Sequence, residues 1–130
     1  MTTSASTLSA SSSLLINPNV ASIPGVIADL QKEYMVAPSS ADYLLVEPNE
    51  GGITSIDQIH RLIAQLSRRS YAKNNSRLVI ISRAETLTLA AQSALLKILE
   101  EPPEGTVLFL IAPTLASVLP TIVSRCQIKY

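Results

Sequence analysis

Four runs of consecutive apolar residues, at 14–16, 43–46, 78–81 and 107–111, recur along the chain with amphipathic segments between them. A strand that alternates apolar and polar side chains buries one face, whereas a strand apolar at every position needs cover on both. Runs of this kind separated by segments of helical period predict an α/β fold, a mainly parallel sheet between helices in three αβα layers. At 130 residues the chain suits a single domain, which buries about two-thirds of its unfolded surface. With 47% hydrophobic and only 15% charged residues, some apolar surface is expected to be covered by a partner.

The segments between the runs read as helices. Pro24 suits a first helical position, and Val26, Ile27 and Leu30 give that helix an apolar face until about Tyr34. Ser55 caps a second helix, in which Ile56, Ile59, Ile63 and Leu66 recur at three- and four-residue steps while Asp57, Arg61 and Gln65 face out. A third runs from about Thr88 to Glu100 and stops before Pro102, whose ring would clash with the preceding turn. Ala91, Ala94, Leu95 and Ile98 line one side of it and Leu89, Leu96 and Leu99 another, which predicts two contacts, one of them with a neighbouring subunit.

Residues 1–12 are rich in Ser and Thr with little to bury, so they are expected to form a disordered tail on a core domain at 13–130. They lack a positive n-region, and the run at 14–16 is too short for a signal peptide. No stretch reaches membrane-spanning length. One cysteine and one histidine offer no zinc spacing, so no metal is expected and a reducing cytoplasm is the expected location. Cys126 has only the distant His60 as a candidate base, which favours a structural thiol over a nucleophile and leaves His60 as a helix-surface residue.

Ten basic residues balance ten acidic ones, so net charge gives no footprint for nucleic acid. A local cluster, Arg68, Arg69, Lys73 and Arg77 around Tyr71, could touch a phosphate backbone, or it is the solvated face usual between a helix and a strand. Glu100 and Glu101 occupy the last turn of the third helix, where the helix dipole disfavours anions and a cationic neighbour would compensate them. Interface contact and simple solvation both fit the pair.

The order of elements invites comparison with nucleotide-binding domains. A P-loop protein runs from its first strand into GxxxxGK[ST], whose glycines let amides approach phosphate and whose lysine neutralises it. Here the turn at 17–24, from Asn17 to Pro24, reads NPNVASIP, without glycine or lysine. Where such proteins place a magnesium-binding aspartate and a glutamate after the third strand, this chain has Ser82 and Arg83. Glu85, the nearest acid, reads as a turn or capping residue. Both sites therefore read as degenerate, so no cofactor and no hydrolysis of ATP by this chain are expected.

IDQI at 56–59, LVII followed by AETLT, AAQSALLKILEEPPE, LPTI at 119–122 and SRCQ at 124–127 together resemble the delta-prime family of DNA polymerase III clamp-loader subunits, within the AAA+ class. The resemblance spans about 42–127. It implies a P-loop NTPase-like domain in a cytoplasmic hetero-oligomer with clamp-loader motor and delta subunits, serving DNA replication, with the sliding clamp and primed DNA as indirect partners. In such a subunit Arg125 of the Ser124-Arg125-Cys126 triplet is an arginine finger acting on ATP bound to the neighbour. Lys97, Glu100 and Glu101 would lie at that interface. From the residues alone a surface salt bridge would account for Arg125 as well.

The family also carries a zinc module, a helical lid and a collar. The connection at 35–41 leaves no room for the first, and the other two are not expected here, so a truncated product or a minimal subunit is anticipated. Two further functions stand beside the non-catalytic subunit, an ATPase motor of gamma type and an interaction module that supplies no finger.

Overall fold

The computed structural model describes residues 10–37, 39–68 and 76–130. Its five strands are β1 (Ser11–Ile16), β2 (Tyr43–Val46), β3 (Arg77–Ile81), β4 (Thr106–Ala112) and β5 (Gln127–Lys129). They lie in the order β2-β3-β4-β1-β5, and every neighbouring pair is parallel. β3 and β4 are buried at every position, as strands covered on both faces must be. Among the described residues the α-helices are α1 (Ile23–Glu33), α2 (Ile56–Leu66), α3 (Leu89–Glu100) and the short α4 (Pro120–Val123).

The period-two alternation of the strands divides the core into two. Val79, Ile81, Leu108 and Leu110 point to the face covered by Ile59, Leu62 and Leu66 of α2, Leu95 and Leu99 of α3 and Ile122 of α4. Leu78, Ile80, Val107, Phe109 and Ile111 point to the other, under Ile23 and Leu30 of α1. This is the expected three-layer α/β arrangement of a P-loop-like domain.

Helix starts follow their local chemistry. Ser55 and Gln58 form a reciprocal capping box at α2, and the Thr88 hydroxyl accepts from the Ala91 amide at α3. α1 begins at Ile23, one residue before Pro24.

Three expectations need correction. β1 starts at Ser11, inside the stretch 1–12 read as a tail, because Ser11 and Ser12 pair with Val107 and Leu108. The buried Ser12 hydroxyl also donates to the Leu99 carbonyl at 3.0 Å, which removes the cost of burying it. β5 was not marked by an apolar run, since only its central residue is even partly buried. The two apolar sides of α3 are not two separate contacts. Leu99 is buried and Leu96 packs against the same core as Leu95, which leaves Leu89 exposed at 69%.

Candidate functional site

In an open parallel sheet, ligands bind beyond the carboxyl ends of the strands. At this edge the chain leaves β1 through a 3-10 turn, Val20–Ser22, in which the amides of Ala21 and Ser22 are engaged within the turn. Asn17 Oδ1 accepts from Asn19 N at 3.2 Å, Asn19 Oδ1 accepts from Ala21 N at 3.1 Å, and Ser22 N donates to Asn19 O at 3.0 Å. The Asn17 side-chain amide donates to Ser22 Oγ at 2.8 Å. Two asparagine side chains thus accept from backbone amides of their own turn, as Asx turns do.

Across from this turn, Ser82 is buried and its amide donates to the Val46 carbonyl. Arg83 Nε lies 2.7 Å from Glu85 Oε2, so Glu85 neutralises the guanidinium beside it. An open hollow of about 440 Å³ separates the two loops, lined mainly by Val20, Ile23, Pro24, Ile27 and Leu45, with Arg83 at its side.

A second corner is built by α3 and α4. Gln92 is buried on α3, its Oε1 accepting from Leu119 N at 2.8 Å and its Nε2 donating to Leu87 O at 3.3 Å. That bridge ties the start of α4 to the start of α3, and Ile122 anchors α4 in the core. Ser124, Arg125 and Cys126 follow directly.

Arg125 Nε contacts Glu100 Oε2 at 3.2 Å, and one terminal nitrogen donates to Thr121 O at 2.9 Å. The Arg125 side chain is 30% exposed and that of Glu100 is 63% exposed. Arg125 is thus the cationic neighbour that the dipole at the end of α3 calls for at Glu100. Ser124 donates its hydroxyl to Thr121 O at 3.1 Å. Lys97 is exposed on the last turn of α3, and Glu101, expected on that turn, is exposed just past it as the C-cap, because its backbone has already left the helical conformation. The Cys126 thiol, half-buried against the core, is pushed by desolvation from 9.0 to about 11, so it stays protonated at neutral pH and serves packing.

The basic cluster separates into different fates. Arg69 and Lys73 lie outside the described residues, and Arg68 is exposed. Arg77 is not a surface cation. It is buried, and its guanidinium donates to the carbonyls of Leu66 at 2.8 Å, Gln65 at 3.4 Å and Arg68. Asp42 lies 3.6 Å from its Nε. Arg77 therefore closes the carboxyl end of α2, where the last carbonyls have no partner within the helix. The available signal was its place at the head of an otherwise apolar strand. Gln92 was also missed, and its mark was a lone amide on the buried face between Ala91 and Leu95. His60 is exposed on α2, as its position there suggested. Among the described residues no group of acids, His or Cys is placed to hold a metal, and no helix is long and apolar enough to cross a membrane.

Residues 31–129 match the model of a family described as DNA polymerase III, delta subunit. The chain belongs to that family. Similar proteins named DNA polymerase III subunit delta' occur in Haemophilus influenzae, 42% identical over 72% of this chain and 28% of that protein, and in Escherichia coli K12, 33% identical over 75% of this chain and 29% of that one. A Bacillus subtilis protein of the same name is 38% identical over 66% of this chain and 26% of its own length. This delta-prime family member thus spans less than a third of the length of these curated relatives. A solved structure of a DNA polymerase III gamma subunit-related protein from Thermotoga maritima superposes with a TM-score of 0.80 at 30% identity, covering 92% of this chain and 40% of that one.

Proposed function

We propose that this chain acts as a non-catalytic subunit of a bacterial clamp loader, supplying Arg125 to ATP bound on a neighbouring motor subunit. The observation that carries this is the partly exposed Arg125 guanidinium just beyond α4, on a corner fixed by Gln92 and Ile122 and held, among the described residues, by hydrogen bonds to Glu100 and Thr121. A planar guanidinium stabilises charge spread over the transferring phosphoryl oxygens, an effect of roughly 10³ to 10⁵ in rate where arginine fingers act. Membership of the delta-prime family supports the assembly, and delta and motor subunits are the partners it implies.

Turnover of ATP by this chain itself is not part of the proposal. The Asn17 and Asn19 side chains take up two amides of the turn after β1, those of Asn19 and Ala21, and Pro18 and Pro24 have none to offer. Arg83 stands where a metal carboxylate would be needed, and its guanidinium offers no oxygen to magnesium while engaging the nearest acid, Glu85. The likeness to a gamma subunit-related protein favours a second reading, an ATPase motor subunit.

ATP hydrolysis by the motor subunit, measured by phosphate release with wild-type chain, with Arg125→Ala and with this chain alone, separates the readings. Stimulation lost in the variant is the expected result. Equal stimulation by both proteins, or by neither, leaves an interaction module without a finger, and hydrolysis by this chain alone turns the conclusion to the motor reading.

A further inference from the structure

The end of α3 and the exit of α4 come from segments 25 residues apart, yet they meet at the Glu100–Arg125 contact. Arginine offers five N–H donors in a planar fork. Nε–H goes to Glu100 and one terminal N–H to the Thr121 carbonyl, which fixes the plane of the guanidinium from two directions. Among the described residues the other three N–H groups, all on the terminal nitrogens, have no acceptor, and these are the donors that suit phosphoryl oxygens. With Glu100 so exposed, water screens its charge, so its attraction adds little stability. Its effect is geometric. Without it, Thr121 O alone restrains a side chain with several freely turning bonds.

We infer that Glu100 is a positioning residue for Arg125, holding the guanidinium in the orientation that presents its terminal N–H groups to phosphate on a neighbouring subunit. This rests on the finger reading above, and it separates Glu100 from Glu101, which forms no ion pair with Arg125 among the described residues. Positioning and competition make opposite predictions for Glu100. A positioning carboxylate speeds the neighbour's reaction, whereas one that merely occupied the finger would slow it.

The test measures phosphate release by the assembled clamp loader as this chain is titrated, reading the maximal rate and the half-maximal concentration separately. Glu100→Ala is expected to lower the maximal stimulated rate by about 10-fold, the scale of a small misplacement of a reacting group, with the half-maximal concentration unchanged. Glu100→Gln keeps an acceptor oxygen for Nε–H and should recover most of the rate. Unchanged thermal midpoints for both variants show that the fold is retained. If Arg125→Ala abolishes stimulation while Glu100→Ala matches or exceeds wild type, the positioning role falls and the finger stands. A change confined to the half-maximal concentration makes Glu100 a docking contact and also overturns it. Full stimulation by Arg125→Ala removes the finger itself, and the positioning role with it.

Discussion

Arg77 at the head of β3 and Arg125 beyond α4 both meet a carboxylate and a backbone carbonyl near the end of a helix, but the first side chain is 8% exposed and the second 30%. Arg77 has three carbonyl acceptors and a buried partner, Asp42. Arg125 has one carbonyl and a partner that stands mostly in water. The number of acceptors that the chain itself supplies decides what each guanidinium can still do. A saturated one is part of the fold, and a half-satisfied one is available to a neighbour.

The difference should appear most strongly when Arg77 is removed. Arg77→Ala leaves Asp42 buried without this cation and strips the end of α2 of its donor, so the loss of stability should be about 3–5 kcal/mol. Urea unfolding of the two proteins measures it. A loss below about 1 kcal/mol, the range of surface ion pairs, would erase the distinction between the two arginines.

Gln92→Ala tests the frame that carries Arg125. It leaves the Leu119 amide and the Leu87 carbonyl without this partner, and the expected cost is about 1–3 kcal/mol in the same unfolding experiment. Because Gln92 touches α4 and not the guanidinium, stimulation of a neighbour's ATPase should fall with it only as far as α4 moves. A variant as stable as wild type would mean that Ile122 alone holds the corner.

How far these roles were legible depends on whether a residue acts within its own segment. The strands β3 and β4 and the cap of α2 were, since apolar runs and a serine ahead of an amphipathic segment carry their meaning locally. β1 reached back to Ser11 because backbone pairing does not need apolar side chains, and the Ser12 hydroxyl found its acceptor 87 residues away at Leu99. Arg77 read as a surface cation, open to a phosphate backbone or to water, since its carbonyl acceptors are created only when α2 ends above β3. At Glu100 the helix dipole called for a cation, but no local rule could identify it as Arg125.

Cys126 extends the comparison to pH, with a smaller effect. Burial raises its thiol from 9.0 to about 11, so between these values the folded chain binds more protons than the unfolded one. Stability from this group is therefore complete below pH 9 and is lost as pH rises towards 11. Tyr34 and Tyr43 are raised in the same sense, by desolvation and then by Glu33 and Glu47 respectively, and add to the alkaline loss at higher pH. Cys126→Ser should flatten the first part of that decline in a pH series of thermal midpoints. An unchanged slope between pH 9 and 11 would show that the thiol is solvated.

The smallest effect belongs to Arg125 itself. Replacing it by alanine removes an ion pair to a carboxylate that is 63% exposed and one hydrogen bond to Thr121 O, an acceptor that water can reach in its place. The Coulomb term is screened and the freed side-chain entropy offsets part of the loss, so the change in unfolding free energy should lie within about 0.5 kcal/mol of zero. Such a variant is folded, which is what gives its effect on a neighbour's ATPase a meaning. Destabilisation by more than about 2 kcal/mol would put Arg125 in the same class as Arg77, a helix-end lock whose exposed atoms are incidental, and the contrast between the two corners would collapse.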